Sequence, residues 1–288
     1  MRSLLSSYII IPMELIPPSP PPATAWPRPS RREVILWGLA LGLLIFWWLH
    51  TPDGLTGKAE AIGYAVCHRI EERSFSVAGW QFPLCARCTG MFLGALLGLI
   101  FQVVRPNRLG GLPPRRVLLV LGLLAVAFGV DGVNSFSRLL PFTPHLYEPN
   151  NILRLLTGTG MGLGIAAVFM PALQQTLWPD WLPESFFRQW RTLGALALLA
   201  ALLDALVLTG WPAFTLPLAF LSALSVLGLL TLVYAVILIM IFRRDNTFQT
   251  LGQVRPFLVG AFCVALTQIG LFDFFRFLLT HTWGGFVL

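Results

Sequence analysis

Apolar runs close to the length of a bilayer-spanning helix recur along this chain, broken by short segments rich in Arg, Pro and Gly. A helix rises 1.5 Å per residue, so about 20 apolar residues cross the ~30 Å hydrocarbon core. Seven runs qualify: Glu33 to Leu49, about Cys85 to Val104, Val117 through Asp131, Ile152 to Leu173, Thr192 to Gly210, Leu218 to Phe242, and Pro256 to about Leu279. They predict an all-α fold, a polytopic transmembrane helix bundle occupying residues 33–288. Residues 1–32 read as a disordered cytoplasmic tail, because Pro17, Pro18, Pro20, Pro21, Pro22, Pro27 and Pro29 favour extended chain over packed helix. Met13 is an alternative start, and the apolar patch before it is too short and badly placed for a signal peptide.

The polar segments set an orientation. Thirteen of the twenty Lys and Arg residues fall in the tail and in alternate loops, and the remaining seven fall on the other side. Under the positive-inside rule the N-terminus is cytoplasmic, the C-terminus extracytoplasmic, and the long connection 50–84 faces outward. Trp and Tyr near several run ends suit an interfacial belt.

Composition agrees with this reading. The 288 residues are 56% apolar and only 11% charged, where a soluble domain carries about 25% charged residues. The net charge of +7 lies in short inter-span segments, so topology accounts for the basicity, no nucleic-acid partner is called for, and the lipid bilayer is the expected surround. The expected location is the plasma or inner membrane, as a multi-pass protein. No Gly-rich phosphate loop, Gly-x-Ser-x-Gly elbow or His-Glu-x-x-His pair supports the common soluble enzyme classes.

One segment concentrates the reactive side chains. Cys67-His68-Arg69-Ile70-Glu71-Glu72-Arg73-Ser74-Phe75 is followed by Phe82-Pro83-Leu84-Cys85-Ala86-Arg87-Cys88-Thr89-Gly90. A Cys-x-x-Cys pair brings two sulfurs to one point, and Cys67 with His68 supplies the remaining donors of a tetrahedral zinc site. Adjacent helical residues point about 100° apart, so Cys67 and His68 share one ion only where the chain bends. Thiol redox chemistry is the competing reading. Cys85 and Cys88 open a span, a helix N-terminus stabilises thiolate, and Arg69, Arg73 and Arg87 act in the same direction. A third cysteine and membrane quinone would then complete a disulfide relay. A third reading is a non-enzymatic assembly protein in which the cluster clamps the outer loop. Cys263, alone in an apolar run, reads as a small buried hydrophobe.

Ionisable residues within spans form a second constellation, since hydrocarbon makes them expensive. Asp131, Asp204, Asp273, Arg154 and Arg276 all fall in the outer half under the predicted orientation, at the depth of the cysteines. If a metal there is catalytic, the thiolates and His68 hold it, Arg73, Arg87 or Arg154 binds an anionic substrate, and Asp131 is the general base. Glu148, Asn150 and Asn151 stand where they can cap the fourth span, and Gly158, Gly160, Gly162 and Gly164 within it admit a close helix neighbour.

Cys67-His68 with Glu72-Arg73-Ser74-Phe75, then Pro83-Leu84-Cys85-x-Arg87-Cys88-Thr89-Gly90, resembles an uncharacterised bacterial family of predicted membrane proteins, domain of unknown function twenty-eighty-five. Asp131-Gly132 and Asn150-Asn151-x-x-Arg154-x-x-Thr157-Gly158 resemble its second block, so the likeness runs from about Val66 to Gly164. The resemblance implies that Cys67, His68, Arg73, Cys85, Arg87, Cys88, Asp131, Asn151 and Arg154 belong to one site. It brings no reaction with it.

Overall fold

The computed structural model describes residues 30–104, 108–138, 144 and 146–286. The Pro-rich segment 1–29 lies outside the described residues. Seven helices are long and apolar enough to cross a membrane: α1 (Arg31–His50), α3 (Ala86–Val103), α4 (Arg115–Ser137), α5 (Asn151–Leu177), α6 (Trp190–Leu208), α7 (Pro212–Ile241) and α8 (Leu251–Thr280). The bundle is the polytopic one that the hydropathy pattern predicts. Arg31 and Arg32 belong to the first helix, not to the tail, because Ser30 and Glu33 form a reciprocal capping box at its start.

The polar connection after α1 is folded. It contains a short helix, α2 (Gly54–Val66), a single 3-10 turn over Glu71–Arg73, and a hairpin of β1 (Ser74–Val77) and β2 (Trp80–Cys85). Ala78 and Gly79 turn the hairpin with positive φ values of 50° and 79°, the backbone that a two-residue turn between twisted strands requires. The strands pair Val77 with Trp80 and Ser74 with Cys85. At the other end of the bundle, β3 (Leu109–Gly111) and β4 (Leu182–Ser185) pair in parallel and tie two loops together.

α3 and α5 form the central pair: half of each helix's most apolar window is buried, against 11% for α1. Their faces interlock through small residues. A Cβ on Gly90 or Gly94 would strike the backbone of Leu155 or Thr159, and one on Gly158 or Gly162 would strike Arg87 or Met91. Two helices in lipid gain little from apolar burial, so this backbone-to-backbone approach carries their association. Gly160 instead faces Leu124 of α4, and Gly164 has open space beside it. The outer helices expose rows of large apolar side chains such as Ile35, Leu39 and Phe46 on α1 and Leu271, Phe274 and Leu278 on α8, the surface that a lipid environment demands.

The cationic residues divide as the loop count predicts. At the end of the bundle carrying the cysteines, Lys58, Arg69, Arg73 and Arg154 are buried and Arg87 and Arg276 half-buried, leaving Arg138 as the exposed base among the described residues. Lys58 caps the C-terminus of α1, donating to the carbonyls of Trp48 and Thr51 and to Thr51 Oγ1, where a cation also meets the negative end of the helix dipole.

Candidate metal centre

The cysteine cluster is built where the end of α2 meets the junction of β2 with α3. α2 ends at Val66, and Cys67 caps it in extended conformation, its N–H returning to the Gly63 carbonyl at 2.8 Å. Gly63 lies against the Pro83 carbonyl with no room for a side chain, which seats the last turn of α2 directly on β2. β2 then runs into α3 without a loop: Cys85 is the extended N-cap of that helix and Cys88 lies in its first turn. The three sulfurs of Cys67, Cys85 and Cys88 lie within 4.8 Å of one another. Tetrahedral zinc with bonds of about 2.3 Å spaces its sulfur ligands about 3.8 Å apart, so small adjustments complete such a set.

All four cysteines are free thiols, and Cys67 and Cys85 are among the most buried residues, 7% and 3% exposed. The Cys85 amide donates to Cys67 Sγ at 3.3 Å. The thiols of Cys85 and Cys88 also donate to Cys67, which holds it well below the usual thiol range, and the same sharing pushes Cys85 up to about 12. The shared hydrogen bonds thus favour ionisation at Cys67 and oppose it at Cys85. A divalent cation is what allows all three to ionise at once.

His68 stands apart from the sulfur group. Arg69 adopts φ 52° and bends the chain just after it, and the imidazole Nδ1 accepts the Ile70 N–H at 3.0 Å. Among the described residues the group able to hold a metal comprises the three cysteines without the histidine. Burial lowers the His68 pKa, opposed by the nearby Cys67 charge.

Beside the sulfurs lies a polar cluster centred on Asp131. Arg87 embraces Asp131, its Nε donating to Oδ2 at 3.0 Å and its Nη2 to Oδ2, to the Asp131 carbonyl at 2.9 Å and to Ser135 Oγ at 2.8 Å. Tyr147 donates its hydroxyl to Asp131 Oδ1 at 2.9 Å, and burial and the carboxylate both raise its pKa. Arg154 shares Ser135 Oγ at 3.4 Å and donates to Asn151 Oδ1 at 2.9 Å, while Asn151 Nδ2 reaches the carbonyls of Glu72 and Ser74. Asn150 caps α5 by accepting from Leu153 N at 2.8 Å, as the sequence suggests. Arg73 lies between the two carbonyls that Asn151 grips, 9% exposed, and burial followed by the Arg87 charge pulls its pKa down.

The remaining in-span charges take other roles. Arg276 donates to the carbonyls of Tyr64 and Cys67, both at 2.6 Å, and of His68 at 3.3 Å, with the Tyr64 ring stacked 3.9 Å away. It is thus a clamp on the cysteine loop. The C-terminal segment adds to the clamp, since the Phe286 N–H reaches the His68 carbonyl at 3.0 Å. Asp204 accepts from Thr159 at 2.6 Å and Asp273 from Trp47 at 3.2 Å, so neither carboxylate pairs with an arginine of the site. Cys263 is buried between α1 and α8, a small core residue. Ser135 and Tyr147 are site residues that the sequence reading did not single out. Ser135 lies one helical turn after Asp131 and so was recoverable from periodicity, whereas Tyr147 arrives from a loop with no local signal.

Residues 67–168 match the family model described as Predicted membrane protein (DUF2085). An uncharacterized protein of Methanothermobacter thermautotrophicus is 38% identical over 103 residues, which are 36% of this chain and 83% of the relative. An uncharacterized protein of Methanocaldococcus jannaschii is 29% identical over 111 residues, 38% of this chain and 65% of the relative. Both relatives are archaeal, where the motif resemblance pointed to bacteria. No solved structure matches. The matched stretch runs from the first cysteine of the triad through most of α5 and holds every sulfur of the cluster and all the residues around Asp131, and on that similarity the chain belongs to the DUF2085 family of predicted membrane proteins.

Proposed function

We propose that this protein is a membrane metalloprotein in which the thiolates of Cys67, Cys85 and Cys88 hold one thiophilic divalent cation, zinc being the first choice. The observation that carries this reading is the convergence of three sulfurs from two elements within 4.8 Å. A soft trithiolate set suits zinc, and three protein ligands leave a fourth position for water or another donor, the pattern of zinc sites that act on a bound molecule. Burial argues against Cys67 and Cys85 as attacking thiols, because a thiol that attacks a partner disulfide must be reachable, while Cys88 is half-buried. Bound there, the metal would act as a Lewis acid on whatever occupies its fourth position. Arg87 holds one carboxylate oxygen of Asp131 and the Tyr147 hydroxyl the other, so Asp131 is the candidate to accept a proton. The cysteine end lies outside the cytoplasm in this reading, which follows the distribution of loop arginines.

Metal content and free-thiol count on the same detergent-purified protein test the proposal. Wild type carries about one zinc per chain, Cys85→Ser loses it, and His68→Ala keeps it because the imidazole lies outside the sulfur group. Loss of zinc in His68→Ala would turn the site into a Cys3His centre. Metal-free protein in which two thiols stay hidden until reductant is added would make the quinone-linked dithiol relay the better reading. Metal-free protein with four accessible thiols would leave the cluster as a structural clamp for an assembly protein.

A further inference from the structure

We propose that Arg73, Arg87 and Arg154 form a binding site for a phosphate-class oxyanion next to the sulfur triad. The three guanidiniums come from the 3-10 turn, the first turn of α3 and the first turn of α5. Ser135 Oγ, accepting from Arg87 at 2.8 Å and from Arg154 at 3.4 Å, holds two of them together. Asn151 ties Arg154 to the backbone on both sides of Arg73. The side chains are removed from water, with exposures of 9% for Arg73 and 6% for Arg154 and 18% for the Arg87 side chain.

Their charge is not balanced by the protein. Asp131 is committed to Arg87, and Arg154 donates to the uncharged side chains of Ser135 and Asn151. Among the described residues, the Arg73 guanidinium has no hydrogen-bond or ion-pair partner; the carboxylate within its electrostatic reach is that of Glu72, which is exposed. Guanidinium does not shed its proton, so crowding cannot be relieved by titration. Within the cluster the single buried carboxylate of Asp131 therefore faces three guanidiniums, an excess of positive charge. A bound oxyanion removes the excess and satisfies the fork of Arg73. The free fork of Arg73 and the remaining donors of Arg87 and Arg154, arriving from different elements, suit the several oxygens of a tetrahedral phosphate group better than the planar pair of a carboxylate. The phosphate can be free or belong to a lipid headgroup, and the site's place at the end of the spans makes both sources reachable.

The test uses the full chain in nonionic detergent. Phospholipid phosphorus per chain is measured after detergent exchange, and delipidated protein is then titrated calorimetrically with inorganic phosphate, with acetate as control. The expected result is saturable phosphate binding, weakened about tenfold or more in Arg73→Gln and less in Arg73→Lys, with acetate far weaker. A phospholipid that resists exchange in wild type and is lost in Arg73→Gln identifies the headgroup as the source; phosphate binding without retained lipid identifies the free anion. Wild type that neither retains phosphorus nor binds phosphate overturns the proposal, as does an Arg73→Gln protein that binds like wild type, or acetate binding equal to phosphate. Should Arg73→Gln not fold, phosphate protection of wild type against thermal unfolding, reduced in Arg73→Lys, decides the matter. Zinc content and thiol count are followed in parallel, since Arg73 is no ligand of the triad and either site can fail without the other.

Discussion

At the scale of single residues, Asp131 is the hub of the polar cluster. One carboxylate oxygen takes two donors from Arg87 and the other takes the Tyr147 hydroxyl. Replacing a buried partner of an ion pair leaves the other charge uncompensated, so Asp131→Asn is expected to cost about 3 kcal/mol. Tyr147→Phe leaves only one acceptor unmet and should cost about 1 kcal/mol. Thermal unfolding of both variants and of the double variant checks this. The double variant should fall short of the sum, because both changes remove the same contact. Equal losses for the two single variants would mean that Arg87 finds its balance elsewhere.

Among the elements, the crossing of α3 and α5 governs the site. Cys85, Arg87 and Cys88 stand at the start of α3, and Asn151 and Arg154 at the start of α5. Any widening of the crossing therefore moves the sulfurs away from the arginines. Gly158→Ala and Gly162→Ala each place a methyl group into α3 backbone and should destabilise the protein by about 2 kcal/mol. Gly164→Ala, which meets open space, should be neutral or slightly stabilising through its better helix propensity. The measurements are thermal unfolding and zinc retention under a competing chelator. Zinc loss in Gly158→Ala but not in Gly164→Ala is the expected pattern, and identical behaviour of the two would remove the crossing from the argument.

For the whole molecule, seven helices long and apolar enough to span are an odd number, and we propose that the two ends of the described chain lie on opposite membrane faces. The cysteine end buries or half-buries every base but Arg138 among its described residues, while the other end exposes Arg188, Arg243 and Arg244 in its loops. Single cysteines introduced at Glu148 and at Arg188 should therefore label from opposite sides, with Glu148 reached by an impermeant reagent added outside intact cells. Labelling of Arg188→Cys from outside would invert the proposed orientation and place the metal centre at the cytoplasmic face. The same reasoning explains why loop charge is informative here: bases sequestered in a site do not contribute to the field that a translocating loop presents.

The spans were legible because lipid forces each one to be a continuous apolar run with its backbone bonds satisfied internally. Each predicted span corresponds to an observed helix, with starts displaced where Pro212 opens α7 at its first position and Pro256 is accommodated inside α8. The Cys-x-x-Cys with its upstream partner was legible from spacing alone. What the linear chain could not disclose was decided by contacts between distant segments. The connection 50–84 folds into a helix and hairpin only because Gly63 meets Pro83 and Arg276 holds the loop carbonyls from 208 or more residues away. His68 lies outside the sulfur group, with its Nδ1 accepting the Ile70 amide. Arg154 shares Ser135 with Arg87, and Arg87 is the residue that pairs with Asp131, a choice made by how α3, α4 and α5 pack. Hydropathy acts within one segment and is written there. A site assembled from several segments exists only where tertiary packing brings them together.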